Sequence, residues 1–122
     1  MNKLQTKLQT LKDNNKKALV AYLVAGDPDL DTTLELMHLF VNSGVDVIEI
    51  GVPFTDPIAE GPIIQKAHDR ALKKAISLKN IVDMVIKFQE TNTLEIINIE
   101  IPDNKKCLNP KITILLVFNT LI

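Results

Sequence analysis

The stretch that decides the fold of this chain is Val45-Asp-Val-Ile-Glu-Ile50, which Gly51 follows directly. Its β-branched and largely apolar composition is typical of a buried strand, and the glycine marks the end of that strand. Residues 51–61 hold a glycine at each end and two prolines, which predicts a long loop with sharp turns. Pro62 suits the first position of a helix, so this part of the chain predicts a strand, a loop and a helix in that order.

The same alternation extends outward in both directions. Two further apolar runs, residues 18–24 and 96–101, are bounded by Gly26 and Pro102 and are predicted to be strands. The spacing of apolar residues predicts helices over residues 4–14, 31–43, 62–74 and from Ser77 onward. The predicted order is helix, strand, helix, strand, helix, helix, strand. Strands that alternate with helices indicate the α/β class with a parallel sheet.

Composition excludes several classes of function. The chain has 122 residues, a net charge of −1, no tryptophan and 4% aromatic residues, which argues against a nucleic-acid partner. The apolar stretch over residues 112–122 is shorter than the roughly 20 residues that span a bilayer. Cys107 is the only cysteine, and His38 and His68 lie on different predicted helices without a ligand spacing. We therefore expect a cytoplasmic protein without a membrane segment or a metal, with both histidines at a helix surface or the edge of the core.

Glu49 is the residue of the central predicted strand that best fits a catalytic role. Val47 and Glu49 point to one face of the strand and Asp46 and Ile48 to the other, so each face carries one carboxylate. Glu49 lies near the carboxyl end, where parallel barrels carry their active sites, whereas Asp46 lies near the start. A carboxylate among apolar neighbours resists ionisation, which suits proton transfer near neutral pH. The alternative is a strand-end glutamate that is exposed to solvent or paired with a lysine.

Three other positions are weaker candidates on the residues alone. Asp56 and Glu60 lie in the loop after the strand of Glu49, and such loops carry function in barrels. On the residues alone turn chemistry is the favoured explanation of both, because each precedes a proline or a glycine. Tyr22 lies near the carboxyl end of the first strand, where it could line a pocket or serve in packing alone.

The strand and its loop resemble a known family. The residues concerned are Ala25-Gly-Asp-Pro28, the run Gly44-Val-Asp-Val-Ile-Glu-Ile-Gly-Val-Pro-Phe-Thr-Asp-Pro-Ile-Ala-Glu-Gly-Pro62, Gln65 and Ala67. Together they are similar to the tryptophan synthase alpha chain family, and the part from Glu49 onward is close to that family's signature. The resemblance covers residues 1–90. It implies a partial TIM (β/α)8 barrel, namely the N-terminal portion with about three parallel strands and an N-terminal helix.

The resemblance also implies an activity and a set of roles. Family members are lyases of tryptophan biosynthesis that cleave indole-3-glycerol phosphate to indole and glyceraldehyde 3-phosphate by a retro-aldol reaction. Glu49 matches the general acid–base, Glu60 matches an aspartate that accepts a hydrogen bond from the indole N–H, and Tyr22 matches a phenylalanine that packs on the indole. The loop with Pro53 and Asp56 resembles the part that docks on the beta chain. Pyridoxal phosphate belongs to that partner, and the alpha chain itself uses no cofactor.

Two departures from the family change what we expect of this chain. Glu60 is one methylene longer than the aspartate it matches, and misplacements of that size can cost ~100-fold in rate. After Thr91 both the resemblance and the helical pattern are lost, so residues 91–122 are expected to be a diverged tail on a truncated or frameshifted chain. In such barrels the loops after the seventh and eighth strands hold the substrate phosphate. Because only about three strands are predicted here, we expect no activity from this chain alone. The alternatives are a non-catalytic remnant that docks on the beta chain and a product without function.

Overall fold

The computed structural model describes residues 3–54, 61–91 and 96–100. The elements in chain order are α1 (Lys3–Asp13), β1 (Val20–Val24), α2 (Leu30–Asn42), β2 (Val47–Gly51), α3 (Gly61–Leu72), α4 (Leu78–Thr91) and β3 (Ile96–Glu100). The predicted α/β class and the predicted order of elements are confirmed, and each boundary that the sequence predicted lies within two residues of its expected position. Asp56 and Glu60 lie outside the described residues, as does the expected tail over residues 91–122 apart from Thr91 and β3.

The strands form one parallel sheet in the order β1-β2-β3. Tyr22 pairs with Glu49, and Val24 pairs with Gly51 at the end of both strands. On the other side of β2, Gly51 pairs with Glu100. Because all three strands run in the same direction, their carboxyl ends lie along one edge of the sheet.

The main hydrophobic core lies on one face of this sheet, beneath α2 and α4. Leu23 of β1 and Ile48 and Ile50 of β2 point to this face and are buried. Met37 of α2 and Phe88 of α4 pack against them, and each of these two side chains is 0% exposed. Burial of a large apolar side chain stabilises the fold by about 1.5–3 kcal/mol. The apolar residues that recur along one face of α2 and one face of α4 are thus buried in a shared core.

The turn after β1 is held by hydrogen bonds to the first turn of α2. Gly26 has a φ of +87°, and an added Cβ there would overlap Ile76, so the position requires glycine. The Gly26 N–H donates to Oγ1 of buried Thr33 at 2.9 Å. Asp29 caps α2 by accepting the Thr32 N–H at 2.7 Å, and that hydrogen bond lowers the pKa of the Asp29 carboxyl. The carboxyl end of β1 and the start of α2 therefore form one rigid corner.

Candidate active site

Glu49 is the third residue of β2, on the sheet face opposite the main core. Its chain neighbours Ile48 and Ile50 are buried beneath α2 and α4, so the alternation along the strand directs Glu49 to the other face. Every other residue of β2 is buried, and Glu49 is only half-buried. In the sheet it is the register partner of Tyr22 on one side and of Asn98 on the other. The central strand thus carries a half-buried carboxylate, and the strand backbone at Glu49 is paired with a neighbouring strand on both sides.

Tyr22 lies beside Glu49 on the same face. Register partners in a parallel sheet share a face, and neighbouring strands lie about 4.8 Å apart, so the two side chains are neighbours. The tyrosine reaches toward the carboxyl end of the sheet and lies over Gly51, where an added Cβ would overlap Oη. Tyr22 also packs against the small buried cluster that Val24 forms with α3. The absence of a side chain at Gly51 therefore makes room for the aromatic ring.

A cleft of about 240 Å³ opens beside Tyr22 and is lined by residues of β1, α2 and α3. Its walls are mainly apolar and include Leu36 and Ile63, with Asp27 and Arg70 as the charged residues. Nε and Nη2 of Arg70 donate to the two carboxylate oxygens of Asp27 at 2.7 and 2.8 Å, which raises the pKa of the guanidinium. The cleft is smaller than the roughly 300–1,000 Å³ of usual ligand pockets. It has the size of part of a substrate site.

Asp46, the second carboxylate predicted for this strand, lies at the opposite end of the sheet. Its Oδ2 accepts the Leu19 N–H at 3.0 Å, and its Oδ1 lies 3.1 Å from Nζ of Lys7 in α1. The hydrogen bond from Leu19 and the contact with Lys7 lower the pKa of Asp46. These partners explain Asp46 as a structural residue, and Glu49 remains the candidate for proton transfer.

Both histidines are more involved in packing than a surface position requires. His68 of α3 is 1% exposed, and its Nδ1 accepts the Phe54 N–H at 2.9 Å. His38 of α2 is half-buried, and its ring centroid lies 4.9 Å from that of Phe88. The signal that could have indicated the burial of His68 is its place beside two alanines on one face of a helix. Within residues 3–54, 61–91 and 96–100, no group of three His, Cys, Asp or Glu residues could hold a metal ion.

The structure brings two of the predicted site residues together, namely Tyr22 and Glu49. Pro53 lies just beyond the end of β2 and is half-buried. Asp56 and Glu60 lie outside the described residues, so their positions relative to Glu49 stay predictions. None of the helices that the structure describes has the length and apolar character needed to cross a membrane.

This face of the sheet supports proton transfer beside an aromatic ring. The Glu49 carboxylate is carried by a strand that is paired on both sides, so its position is set by the scaffold rather than by a loop. Tyr22 contributes a flat apolar surface next to it. A carboxylate held in this way can act as a general acid or base on a small planar substrate.

Comparisons with known proteins agree with this architecture. The family model for the tryptophan synthase alpha chain matches residues 8–100. The alpha chain of Nitrosomonas europaea is 51% identical over 92 residues, which cover 75% of this chain and 34% of that relative. The crystal structure of the alpha subunit from Legionella pneumophila strain Paris matches with a TM-score of 0.78 and 45% identity, over 81% of this chain and 38% of that one.

A structure of the α2β2 tryptophan synthase complex from Pyrococcus furiosus matches with a TM-score of 0.60 and 37% identity, over 67% of this chain and 33% of that one. The structural neighbours are (β/α)8 barrels, and the described helices and strands have the architecture of part of such a barrel. The chain spans about a third of the length of the curated relatives that it matches. The matched residues include both β1 and β2, and with them Tyr22 and Glu49. On this combined evidence the chain belongs to the tryptophan synthase alpha chain family.

Proposed function

We propose that this chain supplies the proton-transfer wall of a lyase site that cleaves indole-3-glycerol phosphate to indole and glyceraldehyde 3-phosphate in tryptophan biosynthesis. The half-buried Glu49 carboxylate beside Tyr22 is the observation that supports this most directly. In this proposal Glu49 moves the proton at the indole ring carbon as the carbon–carbon bond of the side chain breaks. Tyr22 packs against the indole, and Glu60 accepts a hydrogen bond from the indole N–H.

We further propose that this chain does not turn over substrate by itself. The described residues form one side of a site, with a cleft of about 240 Å³. Arg70, the cation on that cleft, is already paired with Asp27 through two hydrogen bonds. In this proposal the substrate phosphate finds its main donors outside the part of the chain that the structure describes, because Asp27 already balances the charge of Arg70. Without them the reacting carbon is not held in an attack geometry.

The proposed partner is the beta chain of tryptophan synthase, reached through the loop with Pro53 and Asp56. The relative from Pyrococcus furiosus belongs to an α2β2 complex, and Pro53 lies at the carboxyl end of β2 beside the candidate site. In this proposal pyridoxal phosphate is held by the beta chain, this chain needs no cofactor, and both act in the cytoplasm. The alternative function is docking without catalysis.

The catalytic proposal is tested in a chimera in which residues 8–100 replace the matching part of the Legionella pneumophila alpha chain. Indole release from indole-3-glycerol phosphate is measured with Glu49 intact and with Glu49→Gln. We expect the glutamine to lower kcat by ~100- to 10,000-fold, because an amide cannot transfer the proton. Glu60→Asp is expected to raise activity by restoring the shorter side chain.

Glu35→Gln is the matched control, because it makes the same chemical change at an exposed position of α2. Its indole release should equal that of the unmodified chimera. Indole release that is equally fast with Glu49→Gln would overturn the assignment of Glu49 as the acid–base.

Docking is tested separately with the 122-residue chain and an immobilised beta chain. We expect saturable binding that Asp56→Lys weakens at least ~10-fold and that Asp83→Lys, on the exposed side of α4, leaves unchanged. Binding without indole release in the chimera would favour the docking function over the catalytic one. If the beta chain does not retain the chain at all, the docking proposal is wrong.

A further inference from the structure

His68 makes a buried contact that the proposed reaction does not use. The side chain is 1% exposed, and its Nδ1 accepts the backbone N–H of Phe54 at 2.9 Å. The two residues are 14 positions apart in the chain, so the hydrogen bond joins α3 to the segment that leaves β2.

This hydrogen bond fixes a piece of backbone that the sheet no longer holds. β2 ends at Gly51, and Val52 and Phe54 beyond it are still buried. A buried backbone N–H needs an acceptor, because leaving it unpaired costs about as much as losing a hydrogen bond. His68 supplies that acceptor from the side of the sheet on which Glu49 lies. An accepting Nδ1 carries no hydrogen, so the imidazole is held in the tautomer with its hydrogen on Nε2.

The same helix is attached to the end of the neighbouring strand. Ala67 and Ala71 of α3 pack against Val24, the last residue of β1. Arg70 of α3 holds Asp27 in the turn after β1 through two hydrogen bonds. The ends of both strands that carry the candidate site are thus fixed to one helix.

We propose that His68 is a positioning residue for the candidate site. By binding the Phe54 backbone it holds the carboxyl end of β2 against α3, and so keeps Glu49 in register with Tyr22, which packs against that helix. Its burial excludes direct contact with substrate. The inference rests on the proposed function only where it concerns catalysis. The hydrogen bond from Phe54 to His68 holds the end of β2 whether or not the site is catalytic.

The test uses the 122-residue chain with His68→Leu, which removes the acceptor, and His68→Asn, whose Oδ1 can replace Nδ1. Hydrogen exchange of the Phe54 and Ile48 amides is followed by NMR. We expect His68→Leu to speed the exchange of Phe54 at least ~10-fold relative to that of Ile48, and His68→Asn to restore it to within ~3-fold. Tyr22 is the only tyrosine and there is no tryptophan, so its fluorescence quenching reports the site directly. Quenching should rise with His68→Leu and stay unchanged with His68→Asn.

Val85→Ala separates positioning from simple loss of stability. Val85 is buried in α4 on the other face of the sheet, so this change should speed the exchange of Phe54 and Ile48 together. Unchanged exchange of Phe54 in His68→Leu, or equal damage by His68→Leu and His68→Asn, would overturn the proposal. A failure of the proposed function is seen in the chimera instead, as indole release that Glu49→Gln does not alter.

Discussion

At the scale of single residues, two carboxylates three positions apart have different surroundings. Asp46 is held by the Leu19 N–H and by Lys7, at the amino end of the sheet. Glu49 lies among buried strand neighbours beside Tyr22. The difference follows from strand alternation and from the end of the strand at which each carboxylate lies. Residue type alone does not distinguish a structural carboxylate from a candidate acid–base.

Gly51 is the residue whose size sets the position of Tyr22. Gly51→Ala should cost about 1–3 kcal/mol of stability, because its Cβ would overlap Oη of Tyr22. In a Tyr22→Ala background the same change should cost less than about 0.5 kcal/mol, because the overlapping atoms are gone. Urea unfolding of the four proteins in this cycle measures the coupling.

Gly44→Ala serves as the control for that cycle. Gly44 has a φ of +89° and no atom within 4 Å of an added Cβ, so its cost comes from the backbone alone. The cost should therefore be the same with Tyr22 or Ala at position 22. If the stability cost of Gly51→Ala is also the same with Tyr22 or Ala at position 22, then the Tyr22 ring does not depend on the space above Gly51.

At the scale of elements, α1 is attached to the sheet by a charged contact. Lys7 reaches Asp46, whose carboxylate also accepts the Leu19 N–H just before β1. The contact joins three parts of the chain at the amino end of the sheet. At the carboxyl end α3 has the corresponding role through His68 and Arg70. At the amino end α1 contacts Asp46 just before β2, and at the carboxyl end α3 contacts the ends of both β1 and β2.

The Asp46 contact predicts a pH-dependent contribution to stability. The pKa of Asp46 is lowered in the folded chain, so its contribution is present above the ordinary aspartate value and is lost as pH falls through the folded pKa. Asp46→Asn should therefore cost about 1 kcal/mol at pH 7 and progressively less below about pH 4. Urea unfolding of both proteins between pH 7 and pH 3 gives the difference.

Asp83→Asn is the matched control for that pH series. Asp83 pairs with Lys79 on an exposed helix turn, and such pairs contribute little. The cost of this change should stay within about 0.5 kcal/mol at either pH. A cost of Asp46→Asn that does not change with pH would mean that the charge of the carboxylate does not stabilise the fold.

At the scale of the whole molecule, the two faces of the sheet are covered differently. One face carries a core in which α2 and α4 bury Met37 and Phe88 completely. The other face has the smaller cluster of Val24 with two alanines of α3, next to Tyr22. The face with the larger core holds most of the buried apolar residues in the part of the chain that the structure describes. The face with the smaller cluster carries the candidate site, and it is the one on which the proposed substrate lies.

The sequence by itself determined the order and type of the elements. Apolar spacing predicted α2 over residues 31–43 and the structure has it at Leu30–Asn42, because amphipathic periodicity is a local property of the chain. The family signature likewise selected Glu49, since the residues that carry it are contiguous, whereas Tyr22 lies outside that run and was selected by its place near the end of the first strand.

Only the tertiary structure decided which residues hold that site in place. The Phe54–His68, Leu19–Asp46 and Asp27–Arg70 contacts join residues 14, 27 and 43 positions apart. Neither periodicity nor turn chemistry carries information over such separations, so the sequence could not identify Phe54 as the partner of His68, even though the two neighbouring alanines could have indicated its burial. Such contacts are determined by how the helices pack on the two faces of the sheet, and packing exists only once the whole chain has folded.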